Sequence, residues 1–246
     1  MEAFEGVKSS LWNPFGWFGI DNSLLKINGS TIINTWIVLF LLSAFLLFCR
    51  LLFFKQPIVR YLVTQGVTNF MEMVVHNMGT FIYAHFLMVI SLFLFILACN
   101  WIIILPWTKE PTSDINTTIA LALIAFFYKE VASIKARGWW GYFKEFLEPF
   151  FIMFPVNVIG HFSKIISLAF RLFGNIFGSS IIMDLYTHVI SMVWVAELVG
   201  LFSGLNFLIV IFFGLFEGLI QAFVFAMLTL TYISLAIQKD VHGEGI

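Results

Sequence analysis

Apolar runs of about 20 residues leave a chain few places to fold except a lipid bilayer, because that is the length an α-helix needs to cross the hydrocarbon. This chain holds such runs at 32–54, 80–107, 116–136, 148–193 and 205–238. The sequence is 61% hydrophobic and only 11% charged, against roughly 25% charged residues in soluble domains, so water is not its main solvent. The expected fold is an all-α integral membrane protein, one membrane domain over residues 1–246 with about five membrane-embedded helices. A formal net charge of −1 and the lack of any long basic run exclude nucleic acid as a partner. Cys49 and Cys99 both lie inside apolar runs and read as small buried hydrophobes rather than a disulfide or metal framework.

The first crossing is expected over 32–54, with Arg50, Lys55 and Arg60 at its exit. Residues 56–79 differ: Pro57 can open a helix, and Arg60, Gln65, Asn69, Glu72 and His76 interrupt the apolar positions, which predicts an amphipathic interfacial helix. Segment 80–107 ends in a charged turn at Pro106, Lys109, Glu110 and Pro111, and pairs as a membrane hairpin with 116–136. That second arm runs to Lys129-Glu130 and then to the basic group Lys135, Arg137 and Lys144. The run 148–193 is too long for one upright crossing at about 1.5 Å per residue, so it must tilt strongly or break. A final helix over 205–238 follows the Ser203-Gly204 break and leads to a polar tail.

Residues 1–31 carry acids where a signal peptide wants basic residues, so no cleavage is expected. Their Trp12, Phe15, Trp17 and Phe18 point to an external segment at headgroup level. The positive-inside bias puts Lys55/Arg60 and Lys135/Arg137/Lys144 on the cytoplasmic side and the N-terminus outside. With no transit segment visible, the expected location is the bacterial plasma membrane, an organellar inner membrane being the alternative.

Arg171 is the residue that such a run should not contain. An arginine at mid-bilayer costs about 2.5–3.5 kcal/mol on insertion scales, so it needs a partner or a wet cavity. It lies within SLAFRLFGNIFG, too deep for easy snorkelling. Seven-residue steps put Asn157, Lys164 and Arg171 on one helix face, and four-residue offsets add His161 and Asn175. Gly174 and Gly178 beside that stripe would let another helix approach closely. Ser180, Asp184 and His188 form a second stripe on the opposite side, nearer the outer surface. On the last helix Glu217 and Gln221 are one turn apart inside FFGLFEGLIQAFVFAMLTL, an arrangement suited to proton relay or to hydrogen bonding with the long helix. There is no zinc-protease motif, nucleophile elbow, phosphate-binding loop or cysteine-histidine cluster, so no catalytic residue, metal site or cofactor is expected.

SLAFRLFGN at 167–175, LIQAFVFAMLTLTYIS at 219–234 and PTSDINTT at 111–118 together resemble subunit a of the rotary F-type ATP synthases. The resemblance implies a non-catalytic stator channel of the membrane sector, its two long tilted C-terminal helices facing a ring of c subunits. Other implied partners are the b-type peripheral stalk, the remainder of the synthase and membrane lipid. Two offset half-channels would carry H+, or alternatively Na+, to and from the ring carboxylates. Arg171 matches the family's essential arginine, whose implied role is to keep a passing ring carboxylate deprotonated and to block leakage. Asn175 and Gln221 match motif positions implied to line the path.

Four departures from the family pattern stand out. Asn157 replaces a frequent carboxylate two residues after Pro155, and Lys164-Ile165 stands where a basic residue and proline are usual. Ser180 takes the place of an acidic residue or histidine, and Gly214 that of a carboxylate seven residues before Gln221. Glu217 is expected to substitute, with Asp184 and His188 lining the outer route and Asn157, His161 and Lys164 the inner one. Two rivals are a secondary transporter for an anionic solute, which predicts repeated halves that the sequence lacks, and a purely structural subunit, which would not need the arginine-centred stripe.

Overall fold

The computed structural model describes residues 11–12, 27–104, 108, 110–147, 150–191 and 208–238. Outside these lie Phe15, Trp17 and Phe18 of the N-terminal segment, Pro106, Lys109, the Ser203-Gly204 break and the polar tail after residue 238. Apart from a two-residue antiparallel pair, β1 (Leu11–Trp12) with β2 (Ile27–Asn28), the regular elements among the described residues are helices. They are α1 (Gly29–Lys55), α2 (Pro57–Met78), α3 (Tyr83–Trp101), α4 (Ile115–Leu147), α5 (Phe154–Ser191) and α6 (Glu217–Gln238), the last entered through a π-helical segment, Val210–Phe216. Five helices among the described residues are long and apolar enough to cross a membrane, and α2 is not one of them.

Helix α1 is apolar on every side, and Val38 alone of its residues is buried, where it meets Cys99 and Ile102. Such a helix faces lipid nearly all round. Asp114 ties its N-terminal end to the rest, accepting a hydrogen bond from Thr31 Oγ1 at 3.0 Å. Pro57 sits at the start of α2, where its missing N–H is no loss. The inward face of α2, Val74 and Met78, packs with Phe86 and Val89 of α3 and with Ala226, Leu230 and Ile233 of α6.

The main core is the seam between α3, α4, α5 and α6. Leu92 and Ile96 meet Leu121, Ala122 and Ala125, then Ile165, Leu168, Ala169, Leu172 and Ile176, and finally Ala222 and Phe225. Lipid tails are as apolar as these side chains, so close van der Waals packing and interhelical hydrogen bonds hold the bundle. The alanines make that approach possible, and polar clamps supplement it. Buried Asn100 donates to the Gly218 carbonyl at 3.0 Å and accepts from Thr112 at 2.8 Å, while Trp101 Nε1 donates to the Leu215 carbonyl at 3.0 Å. Both carbonyls lie at the π segment or just after it, where the helix's own bonding is altered.

The long apolar run shows no break over Phe154–Ser191. Helix α5 is continuous over 38 residues, about 57 Å at 1.5 Å per residue, nearly twice the ~30 Å of hydrocarbon. A single 3-10 turn, Phe151–Met153, precedes it. Helix α4 bends at Gly138, whose φ of 71° and ψ of 171° fall in a region essentially closed to side-chain-bearing residues. Gly138→Ala is therefore expected to lose about 1–3 kcal/mol of stability, read as a lower thermal midpoint of the detergent-solubilised protein; an unchanged midpoint would mean that the bend relaxes freely.

Candidate ion-translocation site

Helices α5 and α6 meet through two hydrogen bonds one helical turn apart. Asn175 Nδ2 donates to Gln221 Oε1 at 2.6 Å, and Ser179 Oγ donates to Glu217 Oε2 at 2.5 Å. Residues four apart share a face, so Asn175 and Ser179 lie together opposite Gln221 and Glu217, with Arg171 one turn before Asn175 on α5. Gln221 is 1% exposed and Thr229, two turns further along α6, is also buried, so this face of α6 carries polar groups into the core.

Arg171 itself is exposed, although its neighbours Leu172 and Leu168 are buried. Among the described residues it has no hydrogen bond and no acidic group within ion-pair distance. The guanidinium is thus presented outward from α5, on the same surface as Ser167, Phe170 and Gly174. Desolvation makes an unpaired charge costly inside a bilayer, and the partner that relieves it must come from outside the described chain or from water.

The stripe read from the sequence divides into two. Lys164 stays with Arg171 on the exposed side, its ammonium 5.8 Å from the Tyr232 ring centre. Asn157 and His161 turn inward: Asn157 Nδ2 donates to the Phe146 carbonyl at 3.0 Å, and the His161 ring lies 4.7 Å from that of Phe146. His161 Nδ1 also lies 3.1 Å from Glu130 Oε1, which accepts from Lys129 Nζ at 2.6 Å. At the other end of α5, Ser180 Oγ donates back to the Phe177 carbonyl, and Asp184 and His188 are exposed. Ser179, rather than Ser180, is the serine that reaches Glu217. No group of three or more histidine, cysteine, aspartate or glutamate side chains able to hold a metal occurs among the described residues.

The sequence profile of the family described as ATP synthase A chain matches residues 32–234. The chain belongs to this family. It is 33% identical over 219 residues to the ATP synthase subunit a of Moorella thermoacetica, a match covering 87% of this chain and 92% of that one. It is 38% identical over 164 residues to the subunit a of Acidothermus cellulolyticus, with 64% of this chain and 57% of that one covered. For the subunit a of Aliarcobacter butzleri the identity is 39% over 160 residues, covering 63% and 64%. The region matching the ATP synthase A chain family contains Arg171, the Asn175–Gln221 and Ser179–Glu217 bonds, and the Lys129–Glu130–His161 cluster.

Two groups escaped the sequence reading. Lys129-Glu130 looked like the end of a crossing, yet both residues are buried; the apolar pattern resuming at Val131, Ala132 and Ile134 was the available signal. Glu110 looked like a surface turn. Its carboxyl is instead pushed up to about 7, first by burial and then by the charge of Glu217. A raised carboxylate pKa contributes stability that is full below the ordinary value of 4.5 and is lost as pH rises through about 7. Glu110→Gln should remove that dependence, so the thermal midpoint of the variant should fall less than the parent's between those two pH values. Parallel curves would show that Glu110 is ordinarily solvated.

Proposed function

We propose that this chain is the ion-translocating stator subunit of an F-type ATP synthase, a non-catalytic channel subunit of a bacterial plasma membrane. It gives H+ two offset half-channels to and from carboxylates on an adjacent c ring, and is held by the peripheral stalk. The observation that carries this reading is the exposure of Arg171 on a membrane-crossing helix with no acidic partner among the described residues. An arginine so presented suits a carboxylate that arrives from another subunit. An opposite charge within about 4–6 Å favours the ionised carboxylate, and arginine does not give up its own proton. A ring site facing Arg171 therefore releases its proton before passing, and only neutralised sites travel on through lipid.

The flanking geometry supports a division of the path at that point. Asn175, Gln221, Ser179 and Glu217 form a polar seam on the outer side of Arg171, with Asp184 and His188 further along α5. Asn157, His161 and Lys164 lie on the inner side. The testing experiment is ATP-driven H+ pumping in membranes carrying Arg171→Gln, with assembly of the complex measured in parallel. Pumping should vanish while assembly persists; normal coupled pumping would make Arg171 a packing residue and end this mechanism.

A further inference from the structure

Glu130 is only 7% exposed, on a helix otherwise occupied with apolar packing. Its two oxygens are unequal. Oε1 receives Lys129 Nζ at 2.6 Å and lies 3.1 Å from His161 Nδ1, while Oε2 is fully buried without a hydrogen-bond partner. One turn on along the same face, the Ser133 hydroxyl is likewise buried and unpartnered, the residue being 1% exposed. Buried polar atoms left without a protein partner are where ordered water sits. Side chains three apart on a helix have Cβ atoms roughly 5–6 Å apart, so Glu130 and Ser133 are neighbours on this face.

Lys129 of the cluster also borders a small cavity. A cavity of about 20 Å3 lies between Lys129, Ala122, Ala125 and Phe126 of α4, Lys164, Ile165 and Leu168 of α5, and Thr229 and Tyr232 of α6. A single water needs roughly 10–15 Å3 measured this way. Leu168, which lines this cavity, is one turn before Arg171 on α5. His161 Nδ1 lies within reach of both neighbours, 3.3 Å from Lys129 Nζ and 3.1 Å from Glu130 Oε1. Protonated at Nδ1 it donates to Glu130; bare at Nδ1 it accepts from Lys129. His161 Nδ1 therefore has a partner within the cluster whether or not it carries the proton.

We propose that Glu130 is the proton-exchanging carboxylate of the inner half-channel, with His161 as its tautomeric partner and Ser133 holding the water that connects it to the inner surface. This assignment rests on the half-channel reading above. A proton bonding to Oε2 from water neutralises the carboxylate, and its release returns it to water with every heavy-atom bond unchanged. Lys129 keeps Oε1 occupied, so exchange is confined to Oε2. The charged or titratable groups around the cluster are Lys129, His161, Lys164 and Tyr232, with Arg137 two turns along α4 bonded to the Ala236 carbonyl of α6.

The test uses the intact synthase in inverted membranes. Glu130→Gln should assemble and lose ATP-driven pumping by about 100-fold or more, the scale set by general acid–base groups, while Glu130→Asp should restore most of it. Ser133→Cys, made with Cys49 and Cys99 replaced by alanine, should be alkylated by a small water-soluble maleimide, since thiolate formation needs water. Pumping retained in assembled Glu130→Gln, or an unlabelled Cys at 133, each overturns the proposal; if Glu130→Gln does not assemble, the labelling alone decides. Arg171→Gln in the same membranes separates the two levels: if it pumps normally, the half-channel reading itself has failed, whereas a dead Arg171→Gln beside a normal Glu130→Gln removes Glu130 alone.

Discussion

Membranes with assembled Arg171→Gln complexes should conduct protons passively, in addition to failing to pump. The guanidinium is the one cation among the described residues presented outward in mid-span between the outer polar seam and the inner cluster. A fixed charge there repels a proton in transit and holds an arriving carboxylate ionised. Opposite charges at such range lower a carboxylate pKa by about 1–3 units, equivalent to about 10–1000-fold in the ionised-to-protonated ratio. Glutamine keeps a polar side chain but supplies neither effect, so protons could pass between the half-channels without turning the ring. Arg171→Lys should rescue little, because a desolvated ammonium can lose its proton and lacks the guanidinium's fork of donors. Passive proton uptake into vesicles under an imposed potential measures this. A tight membrane with Arg171→Gln would mean that something other than the charge separates the two sides.

The second large effect concerns how α6 is held. A Cβ at Gly218 would stand 2.9 Å from Asn100 Cβ, a separation that real contacts almost never show. Gly218→Val must push α6 away from α3, or drive Asn100 from its site. Either movement strains the bonds from Thr112 to Asn100 and from Asn100 to the Gly218 carbonyl. Overpacking of this kind typically loses about 1–3 kcal/mol, and each buried polar group left unpaired adds about 1–3 kcal/mol. The expected result is a sharply lower thermal midpoint and poor assembly. Gly66→Ala, where an added Cβ meets nothing within 4 Å, is the control. Equal stability of Gly218→Val and the parent would show that the α3–α6 clamp contributes little.

The spans were legible because lipid imposes a length and a composition that soluble folds do not. Arg171, Asn175 and Gln221 stand out in the sequence because an arginine inside an apolar run and amides one turn from other polar groups have few bland explanations. Ser179 lies on the step of four that runs from Arg171 through Asn175, whereas Ser180, which the family pattern singles out, bonds only its own helix among the described residues. Lys129 and Glu130 were read as an interface because adjacent opposite charges normally seek water. Their partner across the helix seam is His161, 31 positions along the chain from Glu130, and no local pattern carries that information. Whether α5 runs on or breaks was equally beyond the sequence, since a tilted continuous helix and a broken one satisfy the same excess length.

The π segment ahead of α6 has a consequence for counting. Each wider turn slips the helix by about one residue, or roughly 100° of phase. Positions before Val210–Phe216 and after it are therefore out of step, and an offset of seven across the segment does not return to the same face. Gly214 turns toward Ile103, whereas Glu217 meets Ser179. A carboxylate placed at 217 is thus in phase with Gln221 and Thr229, while one at 214 would be aimed at Ile103, in the turn that follows α3. Deleting a single residue within the segment would turn one half of the crossing against the other like a slipped gear tooth, leaving its composition and length almost intact.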